Sequence, residues 1–127
     1  MRHVRHYTLE EARDKRDWVA ERVDAARSAL GVLASPEVRA ALAAVEPDRG
    51  GAWPGRPAAR ATLELQRAIA ELQAADVVVR DVVRGLVDFP ALRDGEEIYL
   101  CWLVDEPEIE HWHELDAGFA GRRPLAR

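Results

Sequence analysis

Imidazoles, carboxylates and aromatics gather toward one end of this chain. Residues 81–124 hold both Phe, the single Cys, two of the four Trp and two of the four His. Within that stretch His111 and His113 stand two apart, with Glu114 and Asp116 close behind. On a strand, residues two apart project from the same face, so both imidazoles would look into one place. Two His with one carboxylate, drawn from Asp116, Glu114 or Asp88, make the minimal open site for one divalent transition metal: Zn, Fe, Mn or Ni. If the segment were helical, Glu110 and His113 would form the i, i+3 pair of carboxylate-bridged metal centres. A solvated strand edge with acidic neighbours gives the same pattern without a metal, and a lone His-x-His does not separate the two.

A second chemistry lies in Gly118-Phe119-Ala120-Gly121-Arg122-Arg123. Amides at Gly118 and Gly121, with the guanidinium groups of Arg122 and Arg123, would wrap a small anion. The segment has neither the helix nor the spacing of a phosphate loop. The plainer alternative is a tail that Phe119 pins to the sheet. His3, two residues after the amino terminus, fits a square-planar Cu(II) or Ni(II) site. If the chain ends meet, His3 and His6 would share a metal with His111 and His113. Cys101 alternates inward between Tyr99 and Leu103 and reads as a core thiol, not a nucleophile, because burial raises a thiol pKa. No Ser-His-Asp order, glycine-rich nucleotide fingerprint or paired-cysteine metal motif occurs.

The elements that must position these groups are of two kinds. Thr8-Leu9-Glu10-Glu11 is a capping box. From it Leu9, Ala12, Arg16, Val19, Val23, Ala26, Leu30 and Leu33 form a seam of alternating threes and fours, apolar except at Arg16. Ser35-Pro36-Glu37 starts a short second helix. Residues 46–57 carry three Gly and three Pro, which predicts a loop, with Trp53 either anchoring the core edge or forming a ligand lid or partner contact. A third helix is expected at about residues 58–75. The two long helices would form an antiparallel hairpin.

Residues 76–127 read as a β module. Gly85-Leu86-Val87-Asp88-Phe89-Pro90 is a strand ended by proline, Arg93-Asp94-Gly95 a tight turn, and residues 97–104 the clearest strand. Ile98, Leu100, Trp102 and Val104 face one way; Tyr99, Cys101 and Leu103 face the other. Both faces are apolar, so the strand is central and covered on both sides. Residues 108–115 return antiparallel. The fold class is therefore α+β, a helical hairpin packed on an antiparallel sheet of three to four strands, expected as one domain over residues 1–127.

Gly85-Leu86-Val87-Asp88-Phe89-Pro90, Tyr99-Leu100-Cys101-Trp102, Trp112-His113 and Asp116-Ala117-Gly118-Phe119-Ala120-Gly121-Arg122, with Thr8-Leu9-Glu10-Glu11-Ala12, resemble the uncharacterised bacterial family called domain of unknown function 2203. The resemblance covers the two ends; the residue 46–57 loop and residues 13–18 depart from its pattern. It implies a small cytoplasmic helix-plus-sheet protein and supplies no activity, cofactor or catalytic residue. It does favour His113 over His111 as a ligand, because the Trp112-His113 pair lies inside the resembling segment.

Composition narrows the partners. Hydrophobic residues at 48% and charged residues at 32% fit a soluble globular chain. Neither a membrane span nor a signal-peptide stretch is visible. One cysteine excludes an internal disulfide framework. Net charge is −5, and residues 86–121 carry ten acidic groups against Arg93 alone. Arginine is abundant, but no basic cluster is interleaved with aromatics, so nucleic acid is not an expected partner. The overall expectation is a cytoplasmic, non-catalytic interaction protein, a homodimer through the seam or the sheet. A protein partner or small ligand would sit at the acidic C-terminal face. The alternatives are a His/carboxylate metal protein or enzyme, and a binder of a small anionic metabolite.

Overall fold

The computed structural model describes residues 1–43 and 52–125. Thr8 opens the first helix, α1 (Leu9–Asp14), with the capping box read from sequence: the Glu11 amide donates to Thr8 Oγ1 at 3.0 Å, and the Thr8 amide to Glu11 Oε1 at 2.8 Å. The long helix expected from there breaks once, at Lys15, before α2 (Arg16–Ala34). The one polar position of the seam explains the break. Arg16 Nε donates to the Arg13 carbonyl at 2.9 Å, taking an acceptor from the ladder, while its NH1 group reaches the Pro107 carbonyl at 2.8 Å. Arg13 donates to the Ile109 carbonyl at 3.0 Å. These two arginines tie the helices to the loop before the last long strand.

Ser35 caps α3 (Pro36–Ala43), accepting from the Val38 amide at 3.3 Å. The fourth helix, α4, runs Ala52–Ala74, so the loop expected at residues 46–57 is corrected over residues 52–57; residues 44–51 lie outside the described part. Pro57 stands inside α4, past the first turn, so the helix forgoes one ladder bond there, which counting Gly and Pro does not register. Trp53 falls within α4, and its side chain is outside the described part. The helix stops at Asp76, whose φ of 59° closes a Schellman turn. Val77 N donates to the Leu72 carbonyl at 3.0 Å, and Asp76 N to Gln73 at 2.9 Å.

Helices α2 and α4 pack antiparallel, Arg22 meeting Glu71 at 2.9 Å. Buried alanines (Ala26, Ala29, Ala61, Ala68) permit the close approach. Val19 and Val23 of the seam are buried in the chain's own core. A second copy would therefore have to dock on another surface.

The sheet has five strands in sequential antiparallel order, one more than the upper expectation. They are β1 (Val78–Asp81), β2 (Leu86–Arg93), β3 (Glu96–Leu103), β4 (His111–Glu114) and β5 (Arg123–Pro124). Asp94 and Gly95, with φ of 52° and 81°, make the two-residue hairpin turn between β2 and β3. Pro90 does not end its strand; it pairs with Tyr99 inside β2. Its carbonyl points to the side where β1 has already stopped, and there it accepts from the Tyr7 amide at 2.7 Å. The missing proline N–H costs no ladder bond on that side.

Val87, Phe89, Ala91, Ile98, Leu100, Trp102 and Trp112 form the inner face of the sheet, packed with Ala12, Val19, Val23 and Leu72 of the helices. The outer face carries Asp88, Pro90, Tyr99, Cys101, His111 and His113. No described helix is long and apolar enough to cross a membrane.

Gly85 tests how tightly helix and sheet are joined. Its φ is +73°, and an added Cβ would meet the Arg27 guanidinium and lie 2.6 Å from Val104 Cγ2. Arg27 holds the Val82 carbonyl from α2 at 3.2 Å. Gly85→Ala should therefore cost about 2 kcal/mol, combining backbone strain with displacement of Arg27. The urea midpoint, at unchanged slope, measures it.

Candidate functional site

The outer face is built by pairing. Asp88 on β2 lies opposite Cys101 on β3, and Cys101 lies opposite His111 on β4. His113, two residues further along the same face, pairs with Tyr99 and sends its ring across β3, where Nε2 stands 3.0 Å from Asp88 Oδ2. Asp88 and His113 are each 1% exposed and Cys101 is fully buried. One ligand atom from each of Asp88, Cys101 and His113 lies within 4.8 Å of the other two, a group that could hold a metal ion.

Proton accounting makes this group unusual. His113 Nδ1 is 2.6 Å from the Glu114 carbonyl, which only accepts, so Nδ1 carries a hydrogen. Nε2 then either carries a second proton toward Asp88 or presents a lone pair to a cation placed between them. Tying the distal ring nitrogen to a backbone carbonyl is the usual way of aiming a metal-binding imidazole. On Asp88, Oδ2 also accepts from Arg80 Nε at 2.8 Å, while Oδ1 is buried with no hydrogen-bond partner. Burial, and then the negative charge of Asp88, push the Cys101 thiol up to about 12. The thiol is protonated unless a metal displaces the proton.

Of the expected ligand set, His113 and Asp88, one of the three alternative carboxylates, are in this group. His111 shares its face, but its Nδ1 meets Arg122 at 2.5 Å and Glu106 at 4.0 Å. Glu114 alternates to the opposite face of the sheet, where it meets Arg123 at 3.6 Å. Asp116, its side chain 91% exposed, pairs with Arg2 at 3.2 Å. The physical reason is the strand's two-residue alternation combined with its end after Glu114. Of the three candidate carboxylates it is Asp88 that meets His113, and the third member is Cys101, which sequence reasoning assigned to the core. It is in the core, beside a carboxylate and an imidazole.

The anion-wrapping residues do not converge. Arg122 donates to Glu106 at 2.8 and 2.9 Å. Burial alone would raise the Glu106 pKa, but the Leu103 amide and Arg122 hold it below the carboxylate range. Arg123 lies over Trp112 on the inner face. Phe119, in a 3-10 turn (Phe119–Gly121) whose preceding Gly118 has φ of 66°, stands between Arg84 and Arg122.

The chain start closes the other end of the outer face. After leaving Pro90 at Tyr7, the first six residues cross β3 toward Asp116. Glu97 accepts from the Arg2 amide at 2.6 Å, the His3 amide at 2.9 Å and His6 Nε2 at 2.7 Å. His3 Nε2 meets the Tyr99 hydroxyl at 2.6 Å, and Tyr99 packs on His113 with ring centroids 5.5 Å apart. The chain ends do meet, but His3 and His6 are bonded to Tyr99 and Glu97. The two amides that a square-planar copper site would deprotonate instead donate to Glu97.

The family model described as uncharacterized conserved protein (DUF2203) matches residues 5–125, and the chain belongs to that family. Among curated proteins and solved structures no match is found.

Burial works to raise the pKa of Glu97, but the His6 bond and the Arg2 and His3 amides prevail and hold it at about 2, against an ordinary 4.5. A depressed carboxylate stabilises the fold fully above its unfolded pKa and loses that contribution as pH falls toward the folded one. Glu97→Gln should thus melt below the wild-type chain at neutral pH, with the gap closing between about pH 4.5 and 2. Melting temperatures of both proteins across that window check it. A gap that stays constant would mean the carboxylate charge does not hold the first six residues in place.

Proposed function

We propose that this protein binds one divalent transition metal ion, with zinc the best chemical match, through Asp88, Cys101 and His113. Thiolate, imidazole and carboxylate together are a zinc-type donor set, and three protein ligands leave one coordination position for water or a small ligand. The observation that carries the reading is His113 Nε2 aimed at Asp88 Oδ2 while the second carboxylate oxygen, Oδ1, is buried with no hydrogen-bond partner. Zinc bonds of about 2.0–2.3 Å put tetrahedral donors roughly 3.5 Å apart. The ion would therefore need to draw the widest pair in by no more than about 1.3 Å from the 4.8 Å limit.

Energetics support the same reading. Burying an imidazole and a carboxylate costs several kcal/mol per ion, and apolar residues of similar size are often as stable or better. A sheet face that accepts this cost between Leu86, Pro90 and Leu103 suggests that the polar group is retained for binding. An ion here would link β2, β3 and β4 by side chains, so binding would stabilise the folded chain.

Cobalt(II) tests it, since a thiolate ligand gives cobalt a near-ultraviolet charge-transfer band. Wild-type protein prepared without chelator or tag should take up about one cobalt per chain with that band and a raised melting temperature. Cys101→Ala should lose the band, and His113→Gln should lose most of the affinity. A folded wild-type chain that gains neither band nor stability would overturn the proposal.

A further inference from the structure

Asp88 already has a cation. Arg80 Nε donates to its Oδ2 at 2.8 Å, yet the Arg80 side chain is 40% exposed while that of Asp88 is 1% exposed. Arg80 also lies at the one irregularity of the β1–β2 ladder, where Val79 pairs with Val87 and Asp81 with Leu86, leaving Arg80 without a partner. A bulge of this kind re-aims a side chain. Here the guanidinium is laid over the Tyr99 ring, 4.8 Å from its centroid, at the rim of the Asp88 group.

From this placement, and resting on the metal reading above, we infer that Arg80 is a resident counter-cation that a metal ion must displace. With no ion bound, the guanidinium compensates the buried carboxylate. When an ion arrives, two cations compete for one carboxylate at close range, and the half-exposed partner is the one free to leave. Its long, flexible side chain can turn its charged end into water. Arg80 therefore sets a threshold: the site fills only where free metal is high enough to outbid the ion pair, and any ligand that draws Arg80 outward tightens the site. Among the described residues, the other charged groups on this face are bonded elsewhere, Glu97 to the chain start and Glu106 to Arg122.

The experiment is a cobalt(II) titration, with zinc competition, on wild type, Arg80→Gln and Arg80→Lys. Arg80→Gln should bind cobalt at least tenfold more tightly than wild type while melting lower in the metal-free state. A merely structural arginine would lower both. Arg80→Lys keeps a displaceable charge and should stay near wild type. Should Arg80→Gln fail to fold, heteronuclear NMR of wild type decides: the Arg80 Nε–H signal should leave its carboxylate-bonded position on addition of one equivalent of zinc. Cobalt bound by wild type and Arg80→Gln with equal affinity, or an unmoved Nε–H signal in the zinc-bound protein, would overturn the gate and leave the metal site standing. Binding by neither folded protein would overturn the metal reading itself, and the gate with it.

Discussion

The contact between His113 Nε2 and Asp88 Oδ2, 3.0 Å long and shielded from water, is the constraint around which the outer face is arranged. A buried carboxylate and a buried imidazole each need compensation, because an unpaired charge in a low-dielectric interior costs far more than a surface one. Every neighbour supplies part of it. The Glu114 carbonyl fixes the ring, Arg80 approaches from the bulged edge strand, and Tyr99 shields the ring from the side. Cys101 lies beneath, held neutral by the burial that excludes water from the pair.

The two faces of the sheet solve different problems. The inner face is an ordinary apolar core, with Phe89 against Tyr7 at 5.2 Å and Tyr7 bonded through its hydroxyl to the Ala75 carbonyl at the end of α4. Among the described residues, no α-helix packs on the outer face. The first six residues close one end of it through Glu97, and Arg122 with Glu106 closes the other. Such seals are held by charged hydrogen bonds at the rim, which are weaker and more easily exchanged than a packed helix. A polar group under covers of this kind is sheltered from water while the covers remain movable.

Edge management follows from the same economy. At one edge β1 carries a bulge, and at the other β5 is two residues long and ends in Pro124. Both features discourage pairing with another chain. The bulge has a second consequence, since the residue it frees from the ladder is Arg80, the only described side chain that bridges the solvent-facing rim and Asp88.

Local chemistry was readable from the chain alone wherever near neighbours decide the outcome. The capping box at Thr8, the Ser35 cap, the Asp94-Gly95 turn and the two-sided burial of β3 all depend on residues a few positions apart. A sharper reading was within reach. With Asp94 and Gly95 as the turn, pairing outward from Arg93 and Glu96 sets Asp88 opposite Cys101, and a carboxylate within Leu86-Val87-Asp88-Phe89-Pro90 is itself a signal. The family resemblance favoured His113 over His111, but only tertiary structure supplies the physical reason that His113 crosses β3, because the two imidazoles share a face and differ only in what waits for them. Arg122 and Glu106 wait for His111; Asp88 waits for His113. The cover drawn from the first six residues, and Arg80 turned inward by a bulge, belong with that choice. They join residues up to about a hundred positions apart, a distance over which the pattern of one chain carries no register.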